Sequence, residues 1–114
     1  MRHVLMLLVL AAMGQGAATC VRAEVHDEIG ALMKGQPTDV ARHFDRLLTC
    51  QHFADEEAYD AARKREIDHG FKRYRCGLLD KDEAALRRKY RNNAPVLDRI
   101  NSARRAFYGP PVSR

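Results

Sequence analysis

Apolar residues recur along this chain at steps of three and four, the spacing that places them on one face of an α-helix. Val25, Ile29, Leu32 and Met33 make a first short set over Glu24 to Lys34, closed by Gly35-Gln36-Pro37, where glycine and proline break a helix. Thr38 is placed to cap a second helix, in which Val40, Phe44, Leu47 and Leu48 recur up to about Cys50. Asp55 or Glu56 can open a third by offering a carboxylate to its free N–H groups, and Tyr59, Ala62, Ile67, Phe71, Tyr74 and Leu78 form its apolar stripe. Asp80 with Glu83 three residues on has the shape of a capping box ahead of Ala84, Leu86 and Tyr90. Pro95 suits the first turn of a last helix carrying Leu97, Ile100, Ala103 and Phe107, stopped by Gly109-Pro110-Pro111. No stretch sustains the alternation that strands require. The pattern predicts a small all-α domain of four to five helices over residues 24–108, followed by a flexible tail over 109–114.

Before that domain the pattern changes character. Arg2 precedes an uninterrupted apolar run from Val4 to Met13 and then small residues, the layout of a secretory signal peptide. The run is about half of the roughly 20 residues a membrane-spanning helix needs, so no transmembrane segment is expected. Val21-Arg22-Ala23 offers Ala23 as the last residue removed, leaving a chain that starts at Glu24 in the periplasm or outside the cell. A competing lipoprotein cut before Cys20 would need a small residue ahead of the cysteine, where Thr19 stands.

Export changes the reading of the cysteines. Cys50 and Cys76 both follow the expected cut, and an even pair in an exported chain is most simply a disulfide. The bridge constrains the topology. A helix from about Ala58 to Cys76 is about 27 Å long, and the connector from Cys50 to Ala58 reaches at most about 28 Å when extended. The connector over 51–57 is therefore expected to run back along the third helix as an extended strap, or that helix to break near Gly70. A tight antiparallel hairpin of the second and third helices is excluded on this reading, and Gly70 is expected to admit a close neighbour.

Charge is uneven. Residues 24–60 hold three basic and nine acidic side chains, and residues 61–114 hold fifteen and six. Such a chain can pair its halves internally or offer faces of opposite sign to partners. Export and the lack of any recognition motif argue against a nucleic-acid role.

The stretch Cys50-Gln51-His52-Phe53-Ala54-Asp55-Glu56-Glu57 concentrates a thiol, an imidazole and three carboxylates. A zinc site is not expected, because the chain lacks paired Cys or His spacings and a disulfide removes the thiolate. His43 and His69 are expected on helix surfaces or half-buried. Asp55, Glu56, Glu57 and Asp60 share one helix start, where carboxylates gain from the helix dipole. No catalytic motif, phosphate loop or haem attachment is present, so neither an enzyme nor a cofactor is expected. Most aromatic residues have core spacing, and Tyr108, beside the tail, is the most exposed candidate. The candidate partner-binding residues are His52, Asp55, Glu56, Glu57, Asp60 and Tyr108.

The pattern Cys50-x-His52-Phe53-x-x-Glu56-x-x-Tyr59-Asp60, then Cys76, then Leu86-x-x-x-Tyr90, resembles that of short exported bacterial proteins of uncharacterised role. The segment Leu79 to Tyr90 after the second cysteine is also similar to the lysozyme-inhibitor LprI-type domains, which are helical, exported and disulfide-bonded and carry more cysteines. Export, small size, a disulfide staple, an acidic strap and the lack of a catalytic motif lead by exclusion to an expected inhibitor or immunity-type protein for an envelope-active enzyme such as a cell-wall hydrolase. An envelope stress or acid chaperone and a structural envelope component are the alternatives.

Overall fold

The computed structural model describes residues 17–110, with side chains from Glu24 onward. Five α-helices follow one another: α1 (Ala17–Met33), α2 (Thr38–Asp55), α3 (Ala61–Arg73), α4 (Leu79–Lys89) and α5 (Ala94–Tyr108). A single 3₁₀ turn, Cys76–Leu78, leads into α4. No strand occurs among the described residues. The fold is all-α and carries the Cys50–Cys76 disulfide, with a Cα–Cα distance of 5.6 Å.

Helix α2 is the central element because its apolar residues fall in one stripe. Val40, Phe44, Leu47 and Cys50 are buried along it, and α1, α3, α4 and α5 all pack against it. Ile29 from α1 and Val96, Ile100 and Ala103 from α5 close the core around Phe44. Burying a side chain such as Phe44 or Ile100 contributes roughly 1.5–3 kcal/mol, so these residues fix how α1, α2 and α5 meet.

The α1–α2 joint turns at Gly35, whose φ of 72° is the left-handed region that favours glycine. Pro37, not Thr38, occupies the cap position of α2, and Thr38 is its first helical residue, without a side-chain capping bond. The backbone of α1 runs from Ala17 across the expected cleavage point after Ala23. Residues 1–16 of the expected signal peptide and residues 111–114 of the expected tail lie outside the described residues.

The extended strap over 51–57 is not formed. Helix α2 continues to Asp55, and the extended connector is shorter, Glu56 to Asp60. Gln51 donates to Asp55 at 2.8 Å along the added turn, and Phe53 packs on Phe71 and Tyr74. Helix α3 passes through Gly70 unbroken, and a Cβ there would fall on the Phe53 ring, closer than side-chain contacts allow. The pairs Glu56–Arg63, Phe53–Gly70 and Cys50–Cys76 advance in opposite directions along the chain. So α2 and α3 form the antiparallel hairpin that the length argument excluded.

The bridge is reconciled with this hairpin at the end of α3. The helix stops at Arg73, and Arg75 takes φ 54°, turning the chain toward α2 before Cys76. Arg46 of α2 holds that turn, donating to the carbonyls of Tyr74 (3.0 Å) and Arg75 (2.9 Å) and to Asp82 Oδ2 (2.8 Å). The capping box at Asp80 is also absent. Leu78 is the cap residue of α4, and Glu83 points inward.

Candidate functional site

The α2–α3 corner gathers five of the six residues singled out in the sequence. Its shape follows from local ties. Asp60 is extended and accepts from Arg63 N at 2.7 Å, which starts α3 by satisfying one of its free N–H groups. Glu56 pairs with Arg63, and His52 Nε2 lies 3.1 Å from Glu56 Oε1. Arg63 also reaches Glu66 at 2.9 Å. The guanidinium beside Glu56 holds its carboxyl below the usual range, against the opposing effect of desolvation. The connector is thus pinned at both ends.

Between those ends Glu57, Ala58 and Tyr59 are exposed. Tyr59 is 74 % exposed, more than any other large apolar side chain described. This corrects its assignment to the apolar stripe of α3: it precedes the Asp60 cap and lies outside the helix. The connector itself carries Glu56, Glu57 and Asp60 and no basic residue, with Arg63 beside Glu56, so acidic side chains surround an exposed aromatic ring.

Tyr108 is not part of this corner. It sits at the end of α5, half exposed, edge-on to Phe107, with the Arg104 guanidinium 5.0 Å from its ring centre. Phe107 turns the other way and lines a groove of about 360 Å³ with Val25, Leu48, His52 and Asp55. Through that groove the end of α5 approaches the last turns of α2.

A second polar centre was not expected from the sequence. Glu83 is 6 % exposed yet accepts from Arg87 Nε at 2.9 Å and Arg104 Nη1 at 3.1 Å. His43, also buried, places Nε2 3.9 Å from Glu83 Oε2, beyond hydrogen-bond reach. Its expected half-buried or surface place is therefore corrected, while His69 is exposed. Burial pushes the Glu83 carboxyl up, but His43, Arg87 and Arg104 outweigh it and lower its pKa to about 2. The signal was present in the pattern: Glu83 shares the inward face with Leu79 and Leu86, where an apolar residue would be usual. Its two oxygens are taken up by Arg87 and Arg104, which makes it a core ion cluster.

Among the described residues no group of three His, Cys, Asp or Glu side chains is placed to hold a metal ion. No described helix is long and apolar enough to cross a membrane. Comparison of the chain with protein-family models, with curated proteins and with solved structures gives no match.

Proposed function

We propose that the chain is a small exported binding protein that docks on an envelope-active enzyme, as an inhibitor or immunity-type protein, through the α2–α3 corner. The observation that carries this reading is Tyr59: a large aromatic ring 74 % exposed on a connector held at both ends by the Asp60 cap and the Glu56–Arg63 pair. Aromatic anchors dominate binding energetics when a partner desolvates them, and a connector already fixed loses little freedom on docking. The acidic surplus around the ring favours a basic partner surface, whose association salt would weaken. The similarity of the Leu79–Tyr90 segment to lysozyme-inhibitor domains supports the same class of partner, and export to the periplasm or beyond is part of the proposal.

The test is retention of an envelope enzyme by the immobilised oxidised protein, compared with Tyr59→Ala. The ring makes no core contact, so this variant should melt as the parent does while losing about 2 kcal/mol of binding, the scale of an interface hot spot. Equal retention by both proteins, or retention that salt does not weaken, overturns the assignment of this face.

A further inference from the structure

Helices α2 and α4 lie antiparallel, and two ionic clasps join their facing edges. At one end Asp39 accepts from Lys89 Nζ at 2.5 Å and from the Tyr90 hydroxyl at 2.7 Å. At the other Arg46 donates to Asp82 at 2.8 Å. The register that sets 39 against 89 and 46 against 82 brings Arg42 level with Ala85 and Leu86. On this middle rung a cation faces an alanine where the flanking rungs have ion pairs. Among the described residues no carboxylate lies within ion-pair distance of Arg42, although Asp45 is one turn away.

The gap opens into a groove of about 630 Å³. Arg73, at the end of α3, stands on its rim with no ion-pair partner among the described residues; its guanidinium is 6.0 Å from the Tyr74 ring centre. Tyr74 and Leu86 supply half-buried apolar wall. His43 also lines the groove, 3 % exposed, and neither of its ring nitrogens has a hydrogen-bond partner among the described residues. Two unmatched guanidinium groups, an apolar wall and a buried imidazole thus converge on one concavity.

We infer that this groove is a second binding site, taking the carboxylate of an acidic peptide segment whose neighbouring residues are apolar. A guanidinium fork matches a carboxylate in two parallel hydrogen bonds, and Tyr74, Ala85 and Leu86 suit aliphatic side chains on either side of it. A carboxylate fits better than a phosphate, because Asp39, Asp45 and Asp82 also line the groove and repel a dianion more strongly than a single charge. The site lies on α2, α3 and α4 and stands independently of the proposal for Tyr59.

The test uses nitrogen-15 NMR of the oxidised protein, titrated with acetyl-Ala-Leu-Glu-Leu-Ala-amide, with its Gln counterpart and with inorganic phosphate. The Glu peptide should move the Arg42 Nε–H and Ala85 amide signals, and the Gln peptide should not. Arg42→Gln should weaken binding about tenfold, the size of one charge-assisted hydrogen bond. Ala85→Glu should complete the middle rung internally, keep a folded spectrum and abolish peptide binding. The inference fails if shifts map to Arg63–Arg65 or to Arg87 and Arg88 alone, or if either variant binds as the parent does. It also fails if phosphate competes at lower concentration than the Glu peptide.

Discussion

Replacing Glu83 with Gln removes one charge from a buried cluster while keeping its size. The consequence can be worked from the site. The carboxylate accepts from Arg87 and Arg104 with His43 3.9 Å away, and its pKa is lowered to about 2. A carboxyl depressed on folding contributes stability above its unfolded pKa, near 4.5, and loses it as pH falls through the folded value. The difference amounts to about 3 kcal/mol at neutral pH, of which about 2 kcal/mol is gone by pH 3. Arg87 and Arg104 are both partly exposed, so water can take them up when the anion is lost, and the cost of Glu83→Gln at neutral pH should be about 2–3 kcal/mol.

Urea unfolding followed by circular dichroism at pH 7 and pH 3, with the disulfide intact, separates the two contributions. The parent should lose about 2 kcal/mol through this group between those conditions, whereas Glu83→Gln should show a flatter pH dependence by that amount. A variant destabilised at pH 7 but with the parent's acid slope would refute the coupling of Glu83 to the cluster. So would a loss at pH 7 below about 0.5 kcal/mol, which is ordinary for a surface substitution. The same experiment bears on the acid-chaperone alternative. With Glu83 ionised down to about pH 2, this cluster opposes opening in mild acid, and apolar-dye binding should stay flat through pH 4.

Three further predictions follow from the packing. Gly70→Ala should destabilise by about 1–2 kcal/mol, because the Phe53 ring must move; in a Phe53→Ala background the same change should instead stabilise by about 0.5–1 kcal/mol through helix propensity, as urea unfolding would show. Replacing Cys50 and Cys76 together by Ser should cost about 3.5 kcal/mol, the loop-closure value for a separation of 26 residues, read as a lowered urea midpoint. In Asp39→Asn the Tyr90 phenol, whose pKa is raised first by its hydrogen bond to Asp39, should titrate lower in ultraviolet absorbance, and an unmoved titration would exclude that bond in solution.

What the sequence shows of this fold is what repeats along it. Val40, Phe44 and Leu47, and Ile100 with Ala103, declare helices because their spacing alone fixes a buried face. The end of α2 is less legible, since its last turn is held by Phe53 on Gly70, seventeen residues away. Tyr59 matches the α3 stripe in register, but the cap of α3 comes one residue later, where Asp60 accepts from the Arg63 backbone N–H, so the spacing alone places the ring wrongly. Glu83 has the spacing of a local cap because Asp80 stands three residues before it. Arg104, which donates to it, and His43, buried beside it, lie 21 and 40 residues away in the chain, beyond the reach of any local spacing.

The same long-range ties determine where the candidate surfaces can move. The disulfide and Arg46 brace the end of α3 one helical turn apart on α2, the first through Cys76 and the second through the carbonyls of Tyr74 and Arg75. Both braces lie at the open end of the α2–α3 hairpin, while Tyr59 sits in the connector that closes it, held by Asp60 and Arg63. The apolar core, by contrast, joins α1, α2 and α5 through Ile29, Phe44, Leu47 and Ile100 and takes little from α3. Loss of the bridge therefore weakens the register of α3 on α2 more than it weakens the core. The α2–α3 corner and the Arg73 rim of the groove both depend on that register, so reduction should disturb both surfaces while most helices remain.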